Sequence, residues 1–228
     1  MGHEIETIAL KRSHIIKLII DQDNTTDLNA VNLEEIDVAI EFSTPDTAFN
    51  NIVKCLENRI PVVSGTTGWL EKYNQAAEIC NKYSSSFIHS TNFSIGVNLL
   101  FSLNIELAKQ MKRFKDYKVS IEEIHHTKKL DAPSGTAITL ANGIIANHSE
   151  LKGWYKEDEE IINKIPIRSV REGVVPGTHT VTWASEIDTL SLKHEAKNRK
   201  GLALGAVVAA EFIYNKIGVY TMNDVMGF

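Results

Sequence analysis

The densest chemistry in the chain is one run: Glu123-Ile124-His125-His126-Thr127-Lys128-Lys129-Leu130-Asp131-Ala132-Pro133-Ser134-Gly135-Thr136. A histidine or lysine there can deliver a proton. A proline-led turn sets Ser134 as a helix cap, so Gly135 and Thr136 offer N–H groups at a positive helix end. Such an end suits an anion, and a carboxylate fits it. The adjacent lysines add charge-assisted contacts. Paired histidines raise the question of a metal. Successive residues of a strand point to opposite faces, however, and neither a carboxylate nor a third histidine stands at a zincin-like offset. No metal is expected. The plain alternative is a solvated basic turn.

Two further segments carry weaker signals. Gly65-Thr66-Thr67-Gly68 follows a strand pattern and precedes a helix pattern. Glycines at the carboxyl end of a parallel strand let backbone N–H groups approach a cofactor, although an ordinary strand-to-helix turn reads the same way. Asp21 closes the apolar run His14 to Ile20. In dinucleotide folds an acid at that place binds the adenosine ribose and repels a 2′-phosphate. Gln22 follows where a site for the phosphorylated cofactor favours a cation, so NADH is slightly preferred over NADPH. An acid at a strand end is also commonplace.

These residues need elements to hold them. In the first ~90 residues helix and strand patterns alternate, at the spacing of parallel crossover units. Residues 2–12 read as a helix and 14–21 as a strand. Residues 37–42, 61–64 and 86–89 read as further strands. Ser43-Thr44-Pro45-Asp46 opens one intervening helix with hydroxyl caps, a first-turn proline and an acid. The other carries Trp69, Tyr73, Ala76, Ala77 and Cys80 on one face. After Asn92-Phe93 the rhythm changes. A long amphipathic helix (95–114), a strand (117–126) and a helix (134–148) follow, then a charged loop or short helix (150–164). Segments 165–171, 179–185 and 188–196 read as an antiparallel meander, and 201–216 as a last helix. The expected fold is α/β: a Rossmann-like parallel-sheet domain plus an α+β domain with a mixed sheet. The nucleotide-binding domain is placed at 1–93, with 206–228 returning to it. The substrate and oligomerisation domain is placed at 94–205.

Composition narrows the class of partner. The chain has 228 residues, 43% of them hydrophobic and 23% charged, which is ordinary globular usage. Its net charge of −5 offers no broad nucleic-acid surface. No window approaches ~18 uninterrupted apolar residues, so no membrane span is expected. The start, Met1-Gly2-His3-Glu4, has neither the cationic head nor the apolar core of a signal peptide, and Glu6 breaks a myristoylation pattern. Cys55 and Cys80 lack partners at metal or redox spacing and read as two buried thiols of a reducing, cytoplasmic compartment.

The string from Glu123 to Thr136 resembles the signature of the bacterial 4-hydroxy-tetrahydrodipicolinate (dihydrodipicolinate) reductases of lysine and diaminopimelate biosynthesis. The likeness runs along nearly the whole chain. Gly65 to Gly68 resembles the family's nicotinamide-side loop, and Ser90-Thr91-Asn92-Phe93-Ser94-Ile95-Gly96-Val97-Asn98 its second cofactor loop. Ser169 to Gly173, His179 to Val181 and His194 to Ala196 resemble its substrate-domain strands, and Met222 to Val225 its C-terminal end. The resemblance implies reduction of a cyclic diacid by NADH or NADPH. It implies His125 and Lys129 as catalytic residues, with His126, Gly135 and Thr136 as substrate contacts. It assigns cofactor contacts to Asp21, Gly65, Thr66, Thr67, Ser90, Thr91, Asn92 and Phe93, and it implies a homotetramer. One departure stands out: the family opens with a strand and a glycine-rich turn ending in Met-Gly, whereas this sequence opens at Met1-Gly2. The α/β domain is therefore expected to be N-terminally truncated, the natural start lying further upstream. Two alternatives remain: a catalytically impaired nucleotide-binding module without the phosphate-binding turn, and a metal-dependent hydrolase built on His125, His126 and His194.

Overall fold

The computed structural model describes residues 1–29, 34–156 and 161–228. Its helices and strands run in chain order α1 (Gly2–Lys11), β1 (Ala39–Glu41), α2 (Pro45–Glu57), β2 (Val62–Ser64), α3 (Tyr73–Lys82), β3 (Ser86–His89) and α4 (Ile95–Met111). Then come β4 (Lys118–His125), α5 (Gly135–Asn147), β5 (Trp154–Lys156), β6 (Ile165–Arg171), β7 (Thr178–Ala184), β8 (Thr189–Glu195), α6 (Lys200–Ile213), β9 (Gly218–Tyr220) and α7 (Met222–Met226). Two compact units result: Met1–Ile95 with Lys200–Phe228, and Gly96–Arg199.

In the first unit the strands are short and apolar because both faces are covered. Val62 and Val63 have no exposed surface and neither have Phe87 and Ile88. They form a parallel sheet in the order β1-β2-β3-β9, as the alternating pattern requires. The register aligns Glu41 with Ser64 and Ser64 with His89, so three polar residues form one row at the carboxyl ends. One apolar cluster, with Ile5, Val63, Ile88 and Val207, lies between α1, α6 and the sheet, and another includes Ile52, Leu56, Trp69 and Phe87. Helix α6 comes so close to the chain at Phe93 that a Cβ on Gly205 would lie 1.7 Å from the Phe93 carbonyl oxygen. Nearby, a Cβ on Gly201 would lie 3.6 Å from Ser94 Oγ.

The second unit is a mixed sheet, β5-β6-β4-β7-β8. Strand β4 alternates, with Val119, Ile121, Glu123 and His125 on its buried face. Val119 and Ile121 join a core with Leu140 and Ile144 of α5 and Met111 of α4. Each such large side chain contributes about 1.5–3 kcal/mol when fully buried. A one-residue slip would put that set outside, so the apolar half of β4 fixes where its polar half sits.

Three expectations need correction. Residues 14–21 form no strand: among the described residues they pair with no ladder, and Ile15 is 80% exposed. An apolar run has strand propensity, but a strand needs a neighbour for its N–H and C=O groups. The 165–196 region is not a simple meander. Strands β7 and β8 pair antiparallel as expected, while β6 runs parallel to β4, which lies between β6 and β7. The 150–164 segment holds the strand β5, parallel to β6, and its residues 157–160 lie outside the described residues. Among the described residues no helix is long and apolar enough to cross a membrane.

Candidate functional site

Two clusters of polar side chains stand at strand ends, one in each unit. In the first unit the loop Gly65–Gly68 leaves β2 under tight constraint. A Cβ on Gly65 would lie 2.2 Å from the Phe42 ring, and Gly68 has φ +83°. Both positions therefore call for glycine. The Thr66 hydroxyl donates to Glu41 Oε1 (2.9 Å) and accepts from the Ser43 N–H (2.8 Å). Its carbonyl accepts from Trp69 Nε1 (2.7 Å) and lies 3.0 Å from His89 Nε2. Burial lowers the His89 pKa, the hydrogen bond to Thr66 opposing this. Thr66 is thus a peg that holds the loop, and the exposed Thr67 is the hydroxyl this loop presents to solvent.

The second loop lies alongside. The Ser90 N–H donates to the Ser64 carbonyl (3.2 Å), and Ser90 Oγ donates to the Asn92 carbonyl (2.8 Å). Asn92 Oδ1 accepts from the Ser94 N–H (2.9 Å), and Thr91 is exposed. Phe93 is 1% exposed and its ring packs 6.0 Å from that of Phe42, so only its backbone can face a ligand. Gly65, Thr66, Thr67, Ser90, Thr91, Asn92 and Phe93 therefore gather at the carboxyl ends of β2 and β3. Asp21 does not close a strand. It caps the 3-10 helix Gln22–Asp27, its carboxylate accepting from the Gln22 N–H (2.7 Å).

In the second unit, the polar half of β4 meets the turn and the start of α5. Glu123 is fully buried and hydrogen-bonded to His125 Nδ1 through Oε2 and to Arg171 Nη2 through Oε1 (2.8 Å). Burial pushes its pKa up, yet the hydrogen bonds from His125 and Arg171 outweigh that and hold it down to about 2. An ionised carboxylate only accepts, so Nδ1 of His125 carries the proton. That leaves Nε2 to take or give one. A Cβ on Gly177 would lie 3.0 Å from this Nε2, so glycine lets the chain pass beside the ring. His179, register partner of Glu123, has its ring 5.0 Å from that of His125 and its Nε2 3.1 Å from Ser134 Oγ. Burial first, then the charge of His125, pushes the His179 pKa down to about 3, so this ring is neutral.

Past the strand, Lys129 Nζ binds both oxygens of Asp131 (2.8 and 2.9 Å), which lowers the Asp131 pKa. The Ala132–Pro133 peptide is cis, and Ser134 Oγ accepts from the Ala137 N–H (3.2 Å) to cap α5. Gly135 and Thr136 form the first turn of α5, at the positive end of the helix. His126 follows β4 and is half-buried; its carbonyl accepts from the Lys129 N–H (3.1 Å). His125 and Lys129 are linked through Arg171 and Asp131 rather than by direct contact: the Arg171 guanidinium also binds the Asp131 carbonyl (2.7 Å).

Glu123, His125 and His179 offer ligand atoms within 4.8 Å of one another, a trio able to hold a metal ion. The two-residue spacing along β4 is what brings the acid and histidine to one face. Both Glu123 oxygens are, however, already engaged by His125 and Arg171, whereas His179 bonds Ser134 through Nε2 and its buried Nδ1 has no hydrogen-bond partner among the described residues.

Residues 2–93 match the family described as Dihydrodipicolinate reductase, N-terminus, and residues 96–226 match Dihydrodipicolinate reductase, C-terminus. The chain belongs to the dihydrodipicolinate reductase family. A 4-hydroxy-tetrahydrodipicolinate reductase of Christiangramia forsetii is 54% identical over 226 residues, covering 99% of this chain and 93% of that protein. One from Thermosipho africanus is 36% identical, with 99% and 93% covered. A solved dihydrodipicolinate reductase with dipicolinate bound, from Paenisporosarcina sp. TG-14, shares the fold. Its TM-score is 0.80 at 24% identity, covering 96% of this chain and 92% of that one. Against this family background, Glu41, Glu123, Arg171 and His179 are the polar residues that the sequence reading left without a role. Their signal was positional: an acid two residues before His125 on the same strand face, and an acid at the end of an apolar strand.

Proposed function

We propose that the protein reduces 4-hydroxy-tetrahydrodipicolinate to tetrahydrodipicolinate with NADH or NADPH, in lysine and diaminopimelate biosynthesis. The observation that carries this is the Glu123–Thr136 string, folded as strand end, turn and capped helix in a chain 54% identical to a reductase of that name. Relatives matched over nearly their whole length are reductases, which favours turnover over a module that only binds nucleotide.

We assign nucleotide binding to residues 1–93 with 206–228, and substrate binding to 94–205. The residues of the first unit fit a dinucleotide. Two glycines admit close backbone approach, the exposed Thr67 and Thr91 offer hydroxyls, and both loops leave carboxyl ends of a parallel sheet. The dihydronicotinamide supplies the hydride. Gly65, Thr66, Thr67, Ser90, Thr91, Asn92 and Phe93 hold the cofactor, and Asp21 meets its ribose, with NADH slightly favoured.

The chain's remaining work is to bind a diacid and move one proton. The first turn of α5, at Gly135 and Thr136, takes one carboxylate, and His126 is a further contact. Loss of the 4-hydroxyl as water gives a conjugated, electron-poor ring. As hydride adds, negative charge develops on the substrate. His125, through Nε2, or Lys129 neutralises it by giving a proton. The protein works as a cytoplasmic homotetramer: β8 is an edge strand with Leu190 45% exposed and Ile187 91% exposed before it, surface that a neighbouring subunit would cover. The deciding assay follows the loss of reduced-nicotinamide absorbance with substrate made fresh from pyruvate and aspartate semialdehyde. Turnover with NADH or NADPH is expected, and turnover with neither refutes the reading. Sedimentation of a monomer at micromolar concentration would refute the tetramer.

A further inference from the structure

We propose that Arg171 is a positioning residue that holds His125 and Lys129 at once, the first through Glu123 and the second through the turn at Asp131. This rests on the assignment of those two residues to proton transfer made above.

The geometry begins in the sheet. Strand β6 runs parallel to β4 with Arg171 opposite His125 and Ser169 opposite Glu123. From there the guanidinium reaches three acceptors. Nη2 donates to Glu123 Oε1 (2.8 Å) and to the Asp131 carbonyl (2.7 Å), while Nη1 donates to the Val170 carbonyl (2.8 Å). The side chain is 20% exposed and the Glu123 side chain has no exposed surface. On one side, the ionised Glu123 fixes the proton on His125 Nδ1 and with it the ring's orientation. On the other, the Asp131 carbonyl pins the residue whose carboxylate grips Lys129 with two hydrogen bonds. A buried carboxylate that loses its cation becomes an uncompensated charge. A lysine at 171 would bring the charge without the planar fork, so it could not keep all three acceptors.

The test compares wild type with Arg171→Lys, Arg171→Met, Glu123→Gln and the double variant Arg171→Met/Glu123→Gln. Two readouts are taken: kcat and KM for each substrate, and the nitrogen-15 NMR signals of the His125 imidazole in protein without ligands. Arg171→Lys is expected to lower kcat roughly 10- to 100-fold, the scale on which a misplacement of about 1 Å slows turnover, with the KM for NADH nearly unchanged. It is also expected to shift the His125 Nδ1–H signal. The double variant is expected to be no slower than the worse single one, because both act along one chain of contacts. A kcat within about twofold of wild type in Arg171→Lys overturns the proposal. So does an unmoved His125 signal, or a KM for NADH that rises as much as kcat falls. If Arg171→Met fails to fold, Arg171→Lys and Glu123→Gln decide. If wild type turns over with neither nicotinamide, the proposed function fails, and the imidazole signals alone still decide whether Arg171 positions His125.

Discussion

Among the described residues each unit buries one carboxylate near the carboxyl end of a strand, and the two are satisfied in opposite ways. Glu41, 8% exposed, accepts only from neutral groups: the Ser43 N–H (2.8 Å), Ser43 Oγ (2.5 Å), Ser64 Oγ (2.7 Å) and Thr66 Oγ1 (2.9 Å). Glu123 is engaged by His125 and the Arg171 cation. The first arrangement ties together three pieces of chain, the ends of β1 and β2 and the loop after β2, and carries no proton that can move. The second ties geometry to charge, because one of its donors is a titratable ring. On the proposed assignment, the carboxylate ringed by hydroxyls shapes the cofactor loop, and the one ringed by a guanidinium and an imidazole serves the proton transfer.

That contrast can be broken or sharpened by substitution. The largest effect is expected from Lys129→Ala, which should cut kcat by about 10²- to 10⁴-fold, the range for a lost general acid, while the melting temperature stays close to wild type. Unchanged turnover in that variant would remove Lys129 from the chemistry. Next comes Glu41→Gln. Its amide must point N–H groups at donors, so stability should fall by about 1–3 kcal/mol, read by urea unfolding. Binding of NADH, followed by fluorescence, should weaken while kcat at saturating cofactor holds. If kcat fell and binding did not, the division of labour between the two carboxylates would be wrong. Ser134→Ala should cost about 1 kcal/mol through loss of the α5 cap and leave His179 Nε2 without its partner. Equal stability of that variant and wild type would remove the cap from the account.

A different kind of readout is the change of stability with pH. His179 titrates near 3 when folded and at the ordinary 6.5 when unfolded, so below 6.5 the unfolded chain takes a proton that the folded one refuses. Stability therefore falls as pH drops from 6.5 towards 3. Glu123 acts lower: its contribution is full above 4.5 and disappears as pH falls towards about 2. His179→Gln should make the upper stretch shallower, with His89 and His194, also lowered by burial, supplying the remainder, and leave the lower one. Urea midpoints across that pH range that parallel wild type would show that His179 is not the group responsible.

Local signals carried much of this into the sequence. Val119, Ile121, Glu123 and His125 alternate on one face, and Pro133 with Ser134 marks the turn and cap, so strand, turn and helix could be read from neighbours alone. Pairing between distant segments could not. Arg171 stands 48 residues from Glu123, and its role depends on β6 pairing with β4 rather than with β7, which no periodicity reveals. Strands β5 and β9 have three residues each, too few to show a period. The run 14–21 misled in the other direction: its composition favours a strand, but a ladder is a property of pairs.

The tight approach of α6 to Phe93 has a consequence for ancestry. Ser94 and Gly201 flank the whole of the second unit and sit side by side, a Cβ on Gly201 coming within 3.6 Å of Ser94 Oγ. Chain leaves the first unit and comes back to it at nearly one spot. A module spliced in through such a narrow doorway can be traded for another without disturbing its host, so recombination could give this nucleotide-type scaffold a new clientele in a single event.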